Sequence, residues 1–197
     1  MPIRFLQCYR FACSKAAGNF LYRTGLKKKS YFLMPNAIDT KRYCFNRSVR
    51  EKVRQELGLA DAFIIGHIGR FVPQKNHLFL MQTFKKIAEK IPSARLLLIG
   101  DGPKRTEIMQ LAEELHLEER ILFLGQRNDI PDLIQAMDLF LLPSIYEGLP
   151  VSCLEVQAAG LPCIASDAVS SETAYEEDFS FLPLGDQKNG FKNHASI

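Results

Sequence analysis

Two glutamates stand eight positions apart in the stretch YEGLPVSCLEVQAAGLP, residues 146–162, among mostly apolar and small neighbours. A carboxylate in such a half-buried segment needs hydrogen-bond donors, and sugar hydroxyls are suitable donors. Glu147 and Glu155 are therefore candidate sugar-binding residues. For either one alone, pairing with a lysine or simple solvation is the alternative.

Two cations follow the apolar run FIIGHIG, residues 63–69. Arg70 offers a bidentate fork and Lys75 a point charge, so together they can neutralise a diphosphate. Two exposed cations on a turn are the alternative. After the next apolar run, Gly100 and Gly102 allow the backbone to approach a ligand closely, although the third glycine of a dinucleotide fingerprint is absent. These loops favour a ligand that carries phosphate.

A helix N-terminus follows the first glutamate. Pro150 suits the first helical position, because its φ is fixed and it has no N–H to satisfy, and Gly160 ends the helix. The backbone N–H groups of Gly148, Leu149 and Val151 are then expected at the N-terminus, where the helix dipole favours an anion. The two carboxylates thus flank a predicted anion site.

Short apolar runs must position these residues. Nearly continuous apolarity predicts strands buried on both faces, over residues 63–69, 95–100, 121–125, 138–143, 162–166 and 179–184. Helical periodicity lies between them, over His77–Lys90, Lys104–Leu115 and Asp129–Ala136. Strict alternation predicts an α/β fold, a Rossmann-like open parallel sheet with helices on both faces. Ligands of such sheets bind outside the carboxyl ends of the strands.

Residues 1–60 do not follow this alternation. They predict a helix over residues 14–25, a strand and turn over 31–39, and a helix over Arg47–Leu57. They hold 13 Lys and Arg against 3 Asp and Glu, whereas residues 61–197 hold 12 against 19. Solvated charge is one interpretation of the basic excess, and attraction to an anionic membrane surface or an acidic ligand is the other.

The cysteines and the hydropathy indicate a compartment. The five cysteines show neither C-x-x-C nor a histidine spacing suited to zinc, which predicts free thiols in a reducing cytosol. No apolar run approaches the roughly 18–20 residues that span a bilayer. We therefore expect a soluble protein of the cell interior.

Four motifs in order resemble the retaining glycosyltransferases of family four, in the C-terminal, donor-binding lobe of their two-lobed GT-B fold. They are GHIGRFVPQKN (66–76), LLLIGDGP (96–103), FLGQRNDIPDLIQAMDLFLLPS (123–144) and EGLPVSCLEVQAAGLPCIAS (147–166), the last with the E-x7-E pattern of that family. CSKAAGNFLYR and FLMPNAIDTKRYCF (32–45) resemble the end of the N-terminal lobe and the link between lobes. The resemblance implies the end of the N-terminal lobe and the link between lobes over residues 1–45, and a nucleotide-sugar-binding lobe, incomplete at its C-terminus, over residues 46–197.

The resemblance also implies roles for single residues. Arg70 and Lys75 would hold the donor diphosphate, and Glu147 would be the catalytic residue that contacts the transferred sugar. Glu155 would bind the ribose hydroxyls, and Arg127 would lie near the base. The remaining donor-binding positions would bind phosphate through their backbone: Gly148, Leu149, Pro150 and Val151. The nucleotide sugar is a substrate, so no cofactor is expected, and no D-x-D sequence argues for a metal.

The expected function is transfer of a hexose from a nucleotide sugar, with UDP as the expected nucleotide, to a saccharide or lipid-linked acceptor in surface polysaccharide synthesis, with retention. The expected place is the cytoplasm, with peripheral association at the inner face of the plasma membrane and no nucleic-acid partner. The chain alone is expected to be inactive, with part of one sheet face uncovered. A non-catalytic nucleotide-sugar-binding module and an inactive remnant are the alternatives. A GT-B nucleotide-sugar epimerase is a third, which E-x7-E fits poorly.

Overall fold

The computed structural model describes residues 9–22 and 31–185 of the 197-residue chain. The strands are β1 (Phe11–Ala12), β2 (Phe32–Leu33), β3 (Phe63–Ile68), β4 (Ala94–Ile99), β5 (Ile121–Gly125), β6 (Leu139–Leu142), β7 (Cys163–Ser166) and β8 (Phe179–Leu182). The helices are α1 (Lys15–Leu21), α2 (Arg47–Glu56), α3 (His77–Lys90), α4 (Arg105–Glu114), α5 (Ile130–Ala136) and α6 (Val151–Ala158). Cys8, the end of the first predicted helix (residues 23–25) and the polar tail from residue 186 onward lie outside the described ranges.

The strands predicted from residue 63 onward join one parallel sheet. Its order is β5-β4-β3-β6-β7-β8, and every neighbouring pair is parallel. Counted along the chain this order is 3-2-1-4-5-6, that of a doubly wound nucleotide-binding sheet. The sheet grows from β3 to one side and from β6 to the other, so a crevice opens between the carboxyl ends of these two strands. The predicted Rossmann-like fold is confirmed.

Each face of the sheet carries a hydrophobic core, because successive side chains of a strand point to opposite faces. Ile64 belongs to the core that also contains residues of α2, α5 and α6. Its neighbour Ile65 belongs to the core formed with α3 and α4. Helices therefore cover both faces, as predicted. The N-terminal strands β1 and β2 form a separate two-stranded parallel sheet, and the two residues of β2 lie within residues 31–39, where the sequence predicts a strand that runs into a turn.

Among the residues that the structure describes, α3 and α4 leave part of this sheet face over β6, β7 and β8 uncovered. An apolar groove of about 260 Å³ lies there. Its lining includes Phe79, Thr83 and Ile87 of α3, Leu139 of β6, Ile164 of β7 and Leu182 of β8.

The structure can be compared with the expectations about membrane-spanning segments and about the cysteines. No helix within residues 9–22 and 31–185 is long and apolar enough to cross a membrane. The four cysteines in these ranges are free thiols, as predicted: Cys13, Cys44, Cys153 and Cys163. Cys153 of α6 and Cys163 of β7 are buried together in one core. A hydrogen bond with Cys153, together with burial, raises the pKa of the Cys163 thiol.

The glycines after β4 allow the loops at the carboxyl edge to approach one another. Gly100 has a φ of +135°, and a Cβ there would lie 2.0 Å from the carbonyl oxygen of Gly69. A Cβ on Gly102 would lie 2.6 Å from the carbonyl oxygen of Phe71. Backbone hydrogen bonds stabilise this close approach of the two loops. One of them runs from Gly69 N to Ile99 O at 2.9 Å. The close neighbour of these glycines is thus the loop after β3, whereas the sequence interpretation gave that place to a ligand.

A carboxylate fastens α2 to the opposite, amino edge of the sheet. Asp138, just before β6, accepts hydrogen bonds from Arg50, from Arg54 Nη1 at 3.1 Å and from the Ile64 N–H at 2.7 Å. Burial alone would raise the pKa of Asp138. The Ile64 N–H and the two guanidinium groups outweigh burial, so the pKa of this carboxyl lies below its ordinary value. The charge of Asp138 therefore stabilises the fold.

We predict that Asp138→Ala lowers the free energy of unfolding by about 3–5 kcal/mol, because two partly buried arginines lose their counter-ion. The folded pKa is depressed, so the contribution of Asp138 is complete above the unfolded pKa of about 3.9 and is lost as pH falls below it. Urea unfolding of both proteins at pH 7 and at pH 3 measures this difference.

Glu51→Ala is the matched control, because Glu51 pairs with Arg47 at 2.8 Å on the exposed side of the same helix. Its cost should stay below about 1 kcal/mol. Equal costs for the two variants would contradict the role of Asp138.

Candidate functional site

The crevice between β3 and β6 brings two loops side by side. We name them the Lys75 loop (residues 69–76, after β3) and the Glu147 loop (residues 143–150, after β6). Gln74 joins them through its backbone and its side chain: its carbonyl oxygen accepts from Ile145 N at 2.8 Å, and its Nε2 donates to Tyr146 O at 2.9 Å. The order of the sheet thus places two of the sequence-predicted loops in direct contact.

An ion pair completes the contact between the two loops. Lys75 Nζ lies 2.6 Å from Glu147 Oε1, and the two side chains are only 15% and 12% exposed. Such a pair loses much of its hydration, so removal of one partner leaves a costly charge on the other. The structure therefore brings together a residue predicted for the diphosphate and the one predicted for the sugar, and the two satisfy each other.

Arg70 differs from Lys75. Its side chain is exposed at the same carboxyl edge, and within the described part of the chain it has no hydrogen bond and no ion pair. A guanidinium group in this state can receive an anion without losing a partner. Of the two predicted cations, one is thus available and the other is engaged.

The N-terminus of α6 begins one residue later than predicted. Pro150 is the N-cap and Val151 the first helical residue, so the N–H groups at the open end are those of Val151 and Ser152 rather than of Gly148 and Leu149. Leu149 is buried, and its carbonyl oxygen accepts from Asn36 Nδ2 at 2.8 Å. The predicted anion site keeps its helix, but two of its predicted N–H groups lie before the helix.

The α1 helix packs on the same loop. A Cβ on Gly148 would lie 3.1 Å from the Cβ of Ala17. The N–H groups of Lys15 and Ala16 each lie 3.2 Å from the carboxylate of Glu172, which follows β7, and Ser14 Oγ accepts from Ala17 N at 3.0 Å. The first turn of α1 is therefore capped by the preceding residue, Ser14, and by Glu172, which lies more than 150 positions further along the chain.

Glu155 lies half-buried in α6, as the sequence predicted. Its Oε1 accepts a hydrogen bond of 2.7 Å from the phenol of Tyr43. Burial, and then the hydrogen bond with Glu155, raise the pKa of Tyr43 to about 12. Tyr43 belongs to the sequence motif that resembles the link between lobes, which is the only signal that could have pointed to it. Sequence reasoning missed this contact.

Arg127 stands apart from the other predicted site residues. It follows β5, which is separated from β3 by β4, and its guanidinium group holds Asp129 through two hydrogen bonds, one of 2.8 Å. This pairing lowers the pKa of Asp129. Both side chains remain about 40% exposed. Arg127 is therefore placed at the rim of the carboxyl edge, with a partner of its own.

Two buried histidines lie beneath the Lys75 loop, and sequence reasoning missed them as well. His67 Nδ1 lies 2.8 Å from Leu141 O, and His77 stacks on Phe71 with ring centroids 4.1 Å apart. Burial and the neighbouring His77 lower the pKa of His67. Burial and the charge of Lys75 lower the pKa of His77 to about 4. Both imidazoles are neutral at pH 7, so they can pack under a cation without repelling it.

No metal-binding group was found in the described ranges: residues 9–22 and 31–185 contain no cluster of three or more His, Cys, Asp or Glu that could hold an ion. The polar side chains described above lie on the Lys75 loop, the Glu147 loop and α6. They can bind an anion through Arg70 and the α6 N-terminus, and they can bind hydroxyl groups through two carboxylates.

Known proteins resemble the chain over most of its length. A putative glycosyltransferase, EpsF of Bacillus subtilis, is 39% identical over 163 residues, covering 82% of this chain and 42% of its own length. The UDP-Gal:alpha-D-GlcNAc-diphosphoundecaprenol alpha-1,3-galactosyltransferase of Escherichia coli is 35% identical over 154 residues, covering 75% of this chain and 39% of its own length. The chain thus spans about two fifths of the length of these relatives.

Solved structures of other proteins are also similar to the chain. Anabaena Alr3699/HepE in complex with UDP and glucose superposes with a TM-score of 0.82 at 27% sequence identity, over 91% of this chain and 50% of that one. WaaG, a glycosyltransferase involved in lipopolysaccharide biosynthesis, shows the same fold with a TM-score of 0.76 at 21% identity. Residues 49–182 match the sequence model of one family, the glycosyl transferases group 1. The chain belongs to this family of glycosyltransferases and has their GT-B type of Rossmann-like α/β fold.

Proposed function

We propose that the chain is the donor-binding part of a retaining hexosyltransferase that uses a UDP-linked sugar and a saccharide or lipid-linked acceptor in surface polysaccharide synthesis. The observation that carries this proposal is the Lys75–Glu147 ion pair beside the unpaired Arg70, at the crevice of a 3-2-1-4-5-6 sheet. The galactosyltransferase named for UDP-Gal and the Anabaena protein bound to UDP and glucose support the choice of donor.

The ion pair gives a reason why a sugar diphosphate fits better than a simpler anion. A phosphate that draws Lys75 away leaves the Glu147 carboxylate without its cation, in a place where only 12% of its side chain is exposed. Hexose hydroxyls can replace that cation as hydrogen-bond donors. A ligand with both a diphosphate and a sugar therefore satisfies both partners, whereas a nucleotide alone satisfies only one.

The same groups suit the reaction. Negative charge builds on the diphosphate as the bond to the sugar breaks, and Arg70, Lys75 and the N-terminus of α6 can stabilise it. The acceptor hydroxyl attacks the sugar on the face from which the diphosphate departs, which retains the configuration, and its proton passes to the departing diphosphate. Glu155 binds the ribose hydroxyls, the backbone of residues 148–151 lies along the phosphates, and Arg127 lies toward the base. The reaction as proposed needs no metal and no cofactor.

We further propose that residues 1–45 are the end of an N-terminal, acceptor-binding lobe and the link between lobes, and that residues 46–197 belong to the donor lobe. The place of action would be the cytoplasm, at the inner face of the plasma membrane. A panel of UDP, GDP, ADP and their sugars, with thermal stabilisation of the chain as the readout, tests the donor. Stabilisation by none of them would overturn the proposal.

We predict that Arg70→Ala weakens UDP binding by about 1.5–3 kcal/mol, because a charge-assisted contact to the diphosphate is lost. Lys75→Ala should weaken it by a similar amount, and both variants should affect nucleoside monophosphate less. Calorimetric titration measures the affinities.

Lys86→Ala is the control for these variants, since Lys86 is an exposed lysine of α3. It should leave UDP affinity unchanged. Unchanged diphosphate affinity in both Arg70→Ala and Lys75→Ala would remove the assignment of these cations.

A second prediction separates the two glutamates. Glu155→Gln should weaken binding of free UDP, because its proposed partner is the ribose. Glu147→Gln should weaken the UDP-sugar, because its proposed partner is the hexose, and should not weaken free UDP, because it releases Lys75 from its ion pair. Titrations of both variants with UDP and with UDP-glucose make the comparison, and an equal loss of UDP in both would show that the roles are assigned wrongly.

A third prediction concerns turnover. Acceptor transfer needs two oriented substrates, an effect that can amount to about 7–11 kcal/mol of the barrier. The chain spans about two fifths of its curated relatives, so we expect this 197-residue polypeptide to bind donor and to form no glycosylated product. Mass spectrometry of acceptor incubated with UDP-sugar measures the product, and Glu147→Gln controls for contaminating enzymes. Product from the wild-type chain and none from the variant would contradict this prediction.

A further inference from the structure

Glu155 is held on one side only. Its Oε1 accepts from the Tyr43 phenol at 2.7 Å. Within the described residues, its other carboxylate oxygen, Oε2, has no hydrogen-bond partner. A half-buried carboxylate with one oxygen fixed and the other open is suited to accept from a hydroxyl group that arrives from outside.

Tyr43 is itself fixed at both ends. Tyr43 as a whole is 7% exposed and belongs to the core that α2, α5 and α6 share. Its carbonyl oxygen accepts from Gln135 Nε2 at 3.0 Å, and Gln135 Oε1 accepts from Asn46 N at 2.9 Å. Gln135 lies in α5 and is buried. The backbone and the ring of Tyr43 are therefore both held in place where its phenol contacts Glu155.

We propose that Tyr43 is a positioning residue for donor binding: its O–H holds Oε1 of Glu155 and thereby presents Oε2 to the ribose hydroxyls of the nucleotide. A glutamate side chain has several rotatable bonds, and freezing them before the ligand arrives reduces the entropy lost on binding. This proposal rests on the proposed function, in which Glu155 binds the ribose.

The high pKa of Tyr43 fits this role. With a pKa near 12, the phenol keeps its proton at any pH at which the protein works, so Tyr43 acts toward Glu155 as a donor. The opposite possibility is that Tyr43 occupies Glu155 and keeps it from the ligand. The two possibilities predict opposite changes in affinity when the hydroxyl is removed.

The experiment compares Tyr43→Phe, Glu155→Gln and the double variant by calorimetry with two ligands, UDP and inorganic pyrophosphate. Pyrophosphate lacks ribose, so it reports the phosphate groups alone. Tyr175→Phe is the matched control, because Tyr175 is 64% exposed and lies beyond β7, in the loop before β8. Thermal unfolding of each variant checks that the core is intact.

We expect Tyr43→Phe to weaken UDP about threefold to tenfold, the effect of one net hydrogen bond, and to leave pyrophosphate unchanged. The Tyr175→Phe protein should bind both ligands like wild type. In the Glu155→Gln background, Tyr43→Phe should add little, because the two residues act as one unit. The ratio of UDP to pyrophosphate affinity keeps its meaning even if Tyr43→Phe lowers the melting temperature.

Each other outcome is informative. If Glu155→Gln weakens UDP while Tyr43→Phe leaves it unchanged or tightens it, Tyr43 does not position Glu155 and the ribose role stands. An equal loss of pyrophosphate in Tyr43→Phe would show general loosening and would also overturn the inference. Wild-type UDP affinity in Glu155→Gln would remove the ribose role itself, and no UDP binding by wild type would remove the proposed function.

Discussion

The contact between the Lys75 loop and the Glu147 loop holds the carboxyl edge of the sheet together. These loops follow strands that are far apart in the chain and adjacent in the sheet, so the hydrogen bonds of Gln74 and the ion pair are long-range contacts. The edge continues on both sides. The close approach of Gly69 and Gly100 ties in the loop after β4, and Ser170 N donates to Glu147 O at 3.2 Å from the loop after β7. A ligand at this edge meets a connected surface.

The N-terminal segment, here residues 9–22 and 31–45, contacts the carboxyl edge of the sheet at three places. Asn36 reaches the backbone of the Glu147 loop, Tyr43 reaches Glu155, and the first turn of α1 receives Glu172. All three partners belong to loops or helices that begin at the carboxyl edge. A displacement of the segment would therefore change hydrogen bonds to the candidate donor-binding residues, so the segment and the donor site are energetically coupled.

The strands, the long helices and the order of the sheet could be predicted because their signals are local: apolar runs of four to six residues, helical periodicity, and the crossover rule. The position of Lys75 and Glu147 at one edge followed from that order. That the two would pair with each other did not, since the sequence shows which charges reach an edge but not whether they satisfy one another. Tyr43 was missed because it meets Glu155 across 112 positions, and Gly100 was assigned to a ligand because a glycine shows only that something lies close.

The two histidines under the Lys75 loop make the two edges of the sheet differ in their response to acid. An unfolded chain takes up a proton on each histidine as pH falls below about 6.5, whereas folded His77 resists protonation until about pH 4. Proton uptake therefore favours the unfolded chain across this interval, while Asp138 at the amino edge is still ionised. Mild acid should therefore lower the free energy of unfolding through the histidines beneath the Lys75 loop, before Asp138 loses its charge.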